Sequence, residues 1–177
     1  MGTATGLLDH PGIAKVRAAL ADAGLSFAAN GIRVLDAEVR TAIQAAEAIG
    51  VGVGAIANSL VFRTVTGETT APLLALTSGR HRADPGRLAE LAAADAVIKA
   101  DPAFVRTSTG QVIGAVAPVG HPAPIRTLVD SALAEYPVIW AAAGHPRAVF
   151  PIGFAELVAL TCGTAAVVAI EEDDRTP

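Results

Sequence analysis

Long apolar runs and cysteine pairs are missing from these 177 residues, and clustered positive charge is scarce. Each absence removes a class of protein. The longest uncharged stretches, such as Leu157 to Ile170, are too short or too broken by glycine for the roughly 20 residues a membrane span needs. No basic segment followed by an apolar run opens the chain, so no secretory leader is expected. The single cysteine, Cys162, cannot form an internal disulfide, which suits a reducing cytoplasm. It reads as a small buried hydrophobe. A formal charge of −4 argues against unspecific binding along a nucleic-acid backbone, DNA included, because that needs clustered Lys and Arg. The one basic cluster is Arg80, His81, Arg82 and Arg87. Asp84 interrupts it, and it reads as a solvated loop. Aromatic residues make up only 4% of the chain, so the core must be aliphatic.

What the chain does have is Ala and Val, with 52% hydrophobic residues and a mean hydropathy of +0.49. This length is most simply one domain, with a core over about residues 10–170 and frayed ends at 1–9 and 171–177. Helix starts are marked by Pro11, by the capping box Thr41-Ala42-Ile43-Gln44, and by the cap-plus-proline pairs Asp84-Pro85 and Asp101-Pro102. Gly24, Gly50 and Gly110 stand where helices stop. A last helix is expected from Phe154 to Leu160. Strands are expected at 32–35, 56–64, 73–77, 97–99, 112–117, 127–130, 138–142, 148–150 and 166–169, with Thr66-Gly67-Glu68 turning a hairpin. Helices and strands do not alternate strictly, and a hairpin demands antiparallel pairing. The reading is an α+β fold, a mixed and largely antiparallel curved sheet flanked by helices.

Few catalytic signatures are present. Gly50-x-Gly52-x-Gly54 fails as a dinucleotide fingerprint, since it follows a helix and precedes a strand rather than the reverse. Histidines 10, 81, 121 and 145 lack metal spacing, one cysteine cannot build a zinc site, and no nucleophile elbow occurs. No metal or organic cofactor is expected. His121 and His145 each precede a proline and read as turn histidines.

Two runs stand out. One is Ile56-Ala57-Asn58-Ser59-Leu60-Val61-Phe62, which sets two polar residues in an apolar strand. The other is Gly114-Ala115-Val116-Ala117-Pro118-Val119-Gly120-His121, where Gly and Pro shape the backbone. Together with Thr41 to Ala46, Val105 to Gly110, Ala142-Ala143-Gly144 and the final helix, these runs resemble the YbaK/ProX family. That family is related to the editing domain of bacterial prolyl-tRNA synthetases. The resemblance spans roughly residues 25–170.

The resemblance implies a cytoplasmic, trans-acting hydrolase that removes a misattached small amino acid from the 3′ end of tRNA. It would work as a monomer or homodimer, with a synthetase as a possible partner. A synthetase pocket rejects a substrate lacking one methylene by only about 1–3 kcal/mol, so a second hydrolytic site supplies the missing discrimination. On this reading Asn58 and Gly114 carry the chemistry. Ser59, Ala115, Val116, Ala117, Pro118, Gly120 and His121 hold the substrate. Family members usually carry lysine where this chain has Asn58. A neutral amide can orient a water or a ribose hydroxyl but cannot offset an anion. Two alternatives therefore stay open: a non-catalytic module that binds aminoacyl-tRNA or a synthetase, and a small-molecule binder unrelated to tRNA. Strand alternation lets only one of Asn58 and Ser59 face the pocket.

Overall fold

The computed structural model describes residues 4–169. The expectation of a frayed tail at 171–177 lies outside them. At the other end, Ala4–Leu7 form a short helix α1 instead of a frayed arm, and Leu7 packs against the core. Helix α2 spans Pro11–Asp22, with Pro11 in the first turn where no intrahelical donor is needed. Its N-cap is His10, whose Nδ1 accepts the Gly12 N–H at 3.1 Å, a cap the sequence reading missed. Helix α3 (Ser26–Asn30), also unforeseen, follows directly and buries Ala28 and Ala29.

Strand β1 is Arg33–Val34 and helix α4 is Ala42–Ile49. Thr41 Oγ1 accepts the Gln44 N–H at 3.2 Å, while Gln44 Oε1 reaches one residue past the cap to the Arg40 N–H at 2.9 Å. Gly50 ends the helix at φ +84, a conformation open to glycine at little cost. Strands β2 (Ile56–Thr66) and β3 (Thr69–Ser78) form the hairpin. Asp84 and Asp101 cap helices α5 (Pro85–Ala92) and α6 (Pro102–Thr109), with β4 (Ala96–Lys99) between them. Then come β5 (Arg126–Asp130), β6 (Ile139–Ala142), β7 (Ala148–Ile152), α7 (Phe154–Thr161) and β8 (Thr164–Ala166).

The eight strands form one open mixed sheet in the order β1-β7-β6-β2-β3-β5-β8, and β4 also pairs with β2. The pairings β1–β7, β2–β3, β2–β4 and β6–β7 are antiparallel, and β2–β6, β3–β5 and β5–β8 are parallel. Among the described residues no helix is long and apolar enough to cross a membrane.

Three expectations need correction. Residues 112–117 form a loop, not a strand, because side chains bind its backbone where a strand would. The last strand ends at Ala166, upstream of where it was expected. Cys162 is exposed, at φ +49 on the cap of α7, rather than buried.

One edge of β2 is covered by β3 along Ala57–Thr66. The other edge is covered at two places only, by β6 at Ile56 and Ala57 and by β4 from Phe62 to Val65. Between them, among the described residues, Asn58 to Val61 border a gap in the sheet. Side chains alternate along the strand. Ala57 and Val61 enter the large core beneath α2, α3, α6 and α7. Ile56 packs under α4, and Leu60 and Phe62 pack with α5. Asn58 therefore falls on the face covered by α4 and α5, and Ser59 on the face of the large core.

Candidate functional site

The gap in the sheet opens into a two-chambered cleft. Its first chamber, about 190 Å³, lies between the start of α4 and the end of β6, with Val39, Thr41, Ala42, Trp140 and His145 in its walls. Its second, about 430 Å³, runs toward α5 and is lined by His81, Arg82 and Lys99. Asn58, Ser59, Leu60, Ile113, Gly114 and Val116 border both. The polar strand and the Gly-rich loop, more than fifty residues apart in sequence, thus meet across one space.

Local chemistry keeps the loop in place. The Gln111 side chain is buried and acts as a clamp. Its Oε1 accepts the Ala117 N–H at 2.6 Å, and its Nε2 donates to the Val119 carbonyl at 3.2 Å. His121 Nε2 donates to the Ala117 carbonyl at 2.8 Å. Burial pushes the His121 imidazolium below the ordinary histidine value, opposed by that backbone bond, so the neutral ring is favoured. The Ala115 N–H turns back to the Val112 carbonyl at 3.0 Å. Both polar groups of Ala117 and the N–H of Ala115 are therefore spent inside the loop. The N–H groups of Gly114 and Val116 take no part in these bonds. Gly114 sits at φ +87, which an alanine would adopt only under strain.

The loop residues expected to touch substrate thus divide. Gly114 and Val116 border the cleft. Ala115, Ala117 and Pro118 are buried behind it, and Gly120 and His121 line neither chamber. Gly120 instead lies against Gln111 and Val16. Small residues at 115 and 117 serve packing: both are fully buried, and Ala117 joins the large core.

On the strand, Asn58 is half-buried on the α4/α5 face, opposite Thr77 of β3. Ser59 borders the cleft too, but its Oγ is buried and has no hydrogen-bond partner among the described residues; the same holds for Thr77 Oγ1. Unpaired buried hydroxyls are uncommon and mark places that ask for an explanation.

Two histidines that read as loop or turn residues stand in the cleft walls. His145 lies edge-on to His10 with ring centroids 4.8 Å apart, and its Nδ1 accepts the Arg147 N–H at 3.0 Å. Burial and the His10 ring push His145 below its ordinary value, with Glu38 opposing. The basic cluster also resolves. Arg80 pairs with Glu135 at 2.8 Å and Arg87 with Glu90 at 3.0 Å, so these two are surface pairs. His81 and Arg82 face the second chamber instead of bulk solvent alone, a correction to the solvated-loop reading. Arg82 and Lys99 form no ion pair among the described residues.

A family model for an aminoacyl-tRNA editing domain matches residues 36–160, most of the chain and every residue of the cleft wall named so far. The chain belongs to the aminoacyl-tRNA editing family. Solved structures agree. One, solved as a candidate trans-editing enzyme for prolyl tRNA synthetase, is 38% identical with a TM-score of 0.79, over 90% of this chain and 98% of that one. Another, from work on grafting epitope backbones onto scaffold proteins, is 35% identical with a TM-score of 0.78, over 90% and 97%. A hypothetical protein at 25% identity has a TM-score of 0.79 over 88% and 99%. Among curated protein sequences, none matches significantly. Within this editing-family chain, sequence reasoning found the strand and the loop but missed Gln111, His81 and Asp130. A lone glutamine at the start of a supposed strand carries no signal, and Asp130, whose Oδ2 lies 2.8 Å from the His81 Nδ1, stands 49 residues further along.

Proposed function

We propose that the protein is a trans-acting aminoacyl-tRNA deacylase that hydrolyses the ester of a small, misattached amino acid at the 3′ end of tRNA. The observation that carries the reading is the meeting of Asn58 with the free main-chain edge of the Gly114–Val116 loop inside an editing-family cleft. The relative solved as a candidate trans-editing enzyme for prolyl tRNA synthetase points to the same activity.

The chemistry follows from the parts. Water adds to the ester carbonyl carbon, and the developing oxyanion is met by the Gly114 and Val116 N–H groups. Fixed donors of this kind are among the largest single contributions to acyl transfer, because they need no reorganisation as charge develops. The Asn58 amide, with two donors and one acceptor, orients the water or the ribose hydroxyl next to the ester. The cleft's division suits a substrate of two unequal parts. A chamber of about 190 Å³ walled by Ala42, Val39 and Trp140 fits a small aminoacyl group, and one of about 430 Å³ fits the terminal nucleoside. Arg82 and Lys99 in the larger chamber supply positive charge for the adjoining phosphates, which the chain's overall charge of −4 does not.

Deacylation of tRNAs charged with Ala, Ser and Cys tests the reading. Release above the uncatalysed rate for at least one of them is the expected outcome. Tight binding of charged tRNA or of a synthetase with no release from any would replace the enzyme by a binding module.

A further inference from the structure

Asp130 closes β5 at 2% exposure, and its carboxylate is fully engaged. Oδ2 accepts the Ser78 N–H at 3.0 Å and the His81 ring at 2.8 Å, and Oδ1 accepts the Ala132 N–H at 3.0 Å. Two backbone donors, one to each oxygen, fix this buried carboxylate in place. His81 must then give Asp130 its Nδ1–H, which leaves Nε2 as the ring's basic nitrogen. The His81 side chain is 29% exposed and lines the second chamber with Asn58 and Gly114. A buried carboxylate, an imidazole with a fixed tautomer and a free ring nitrogen in a substrate-sized cleft form the standard arrangement of an oriented base. A purely structural tie between β3 and β5 would not need a partly exposed ring at the cleft wall.

We propose that His81, oriented by Asp130, is the general base of the cleft. The proposal rests on the deacylase reading above. His81 Nε2 takes a proton from the attacking water as its oxygen bonds to the ester carbon. The tetrahedral intermediate then expels the ribose oxygen, which receives that proton back from the imidazolium. Free amino acid and tRNA with an intact ribose hydroxyl are the products. Asp130 takes part in neither proton transfer and acts only on the ring.

The charged groups around His81 are Asp130 and, on the turn after β5, Glu135, which is paired with Arg80; Asp84 caps α5, and Arg82 and Lys99 stand in the chamber wall. A second histidine, His145, lines the first chamber and is the control.

The test is single-turnover deacylation from pH 5 to 8 by wild type, His81→Asn and His145→Gln. The asparagine amide can keep a donor toward Asp130 while removing the basic nitrogen. His81→Asn is expected to melt near wild type, to lose about 10²–10⁴ in rate, and to lose the acid limb of the profile. His145→Gln is expected to keep that limb. A wild-type profile flat across this range overturns the proposal whatever the variants do. So does a folded His81→Asn with wild-type rate, and in both cases the deacylase reading stands. A wild type that releases no amino acid overturns both.

Discussion

The Gln111 clamp gives the sharpest test of how the loop is held. Replacing Gln111 by leucine keeps the bulk of a buried side chain and removes both polar ends. The Ala117 N–H then loses its 2.6 Å acceptor in a place with no exposure to water, and the Val119 carbonyl loses its 3.2 Å donor. An orphaned buried donor costs about 1–3 kcal/mol, and a half-buried carbonyl with a second lone pair costs less. A total near 2–3 kcal/mol lowers the melting temperature of a domain this size by roughly 5–10 °C. Activity should fall further than stability. At a temperature where the variant is still folded, the Gly114 and Val116 amides no longer have a fixed aim, and a shift of about 1 Å in such a site can cost on the order of a hundredfold. Thermal melts and single-turnover deacylation at 25 °C read the two effects separately. A Gln111→Leu protein that melts within about 1 °C of wild type, or that keeps wild-type turnover, would refute the idea that this side chain sets the loop.

Three further outcomes are expected. Asn58→Ala should leave the melting temperature nearly unchanged, since Asn58 is only half-buried, but lower the deacylation rate at least tenfold; equal rates would remove Asn58 from the chemistry. Lys99→Ala should weaken charged-tRNA binding at low salt and reduce the slope of log affinity against log salt by about one, as measured by titration at several salt concentrations; an unchanged slope would take Lys99 away from the phosphates. Stability should fall as pH drops below about 6.5, because His121 is held below that value in the folded state and the unfolded chain takes up the proton more readily; this contribution is complete above about 6.5 and is lost as pH falls from there through the lowered folded-state value. His121→Gln, which can still donate to Ala117, should flatten that part of a melting-temperature profile, and a profile of unchanged steepness would assign the effect elsewhere.

Much of the fold could be read from local rules. Thr41, Asp84 and Asp101 are N-caps whose side chains bond to the third residue on, and each marks a true helix start. The hairpin around Gly67 and the long β2 strand are equally local in origin. The errors arise where tertiary context decides. Residues 112–117 have a strand's composition, yet Gln111 and His121 take up the very backbone groups a strand would need for pairing. Cys162 has the chemistry of a buried residue but sits at a helix cap. At the site, the strand and loop were legible because Gly, Pro and stray polar residues are conspicuous in an aliphatic chain. His81 and Asp130 were not, because their relation exists only once β3 and β5 lie side by side.

The clamp has one more consequence. Gln111 and His121 bracket the loop from its two ends and both fasten on the same residue, Ala117, one on its N–H and the other on its carbonyl. The stretch between Gln111 and Ala117 is pinned at its margins and spans a breach that no strand fills. Residues there can be exchanged without unzipping any ladder. An architecture of this kind lets one scaffold accept a succession of differently cut insets, so the choice of cargo can drift while the frame around it stays fixed.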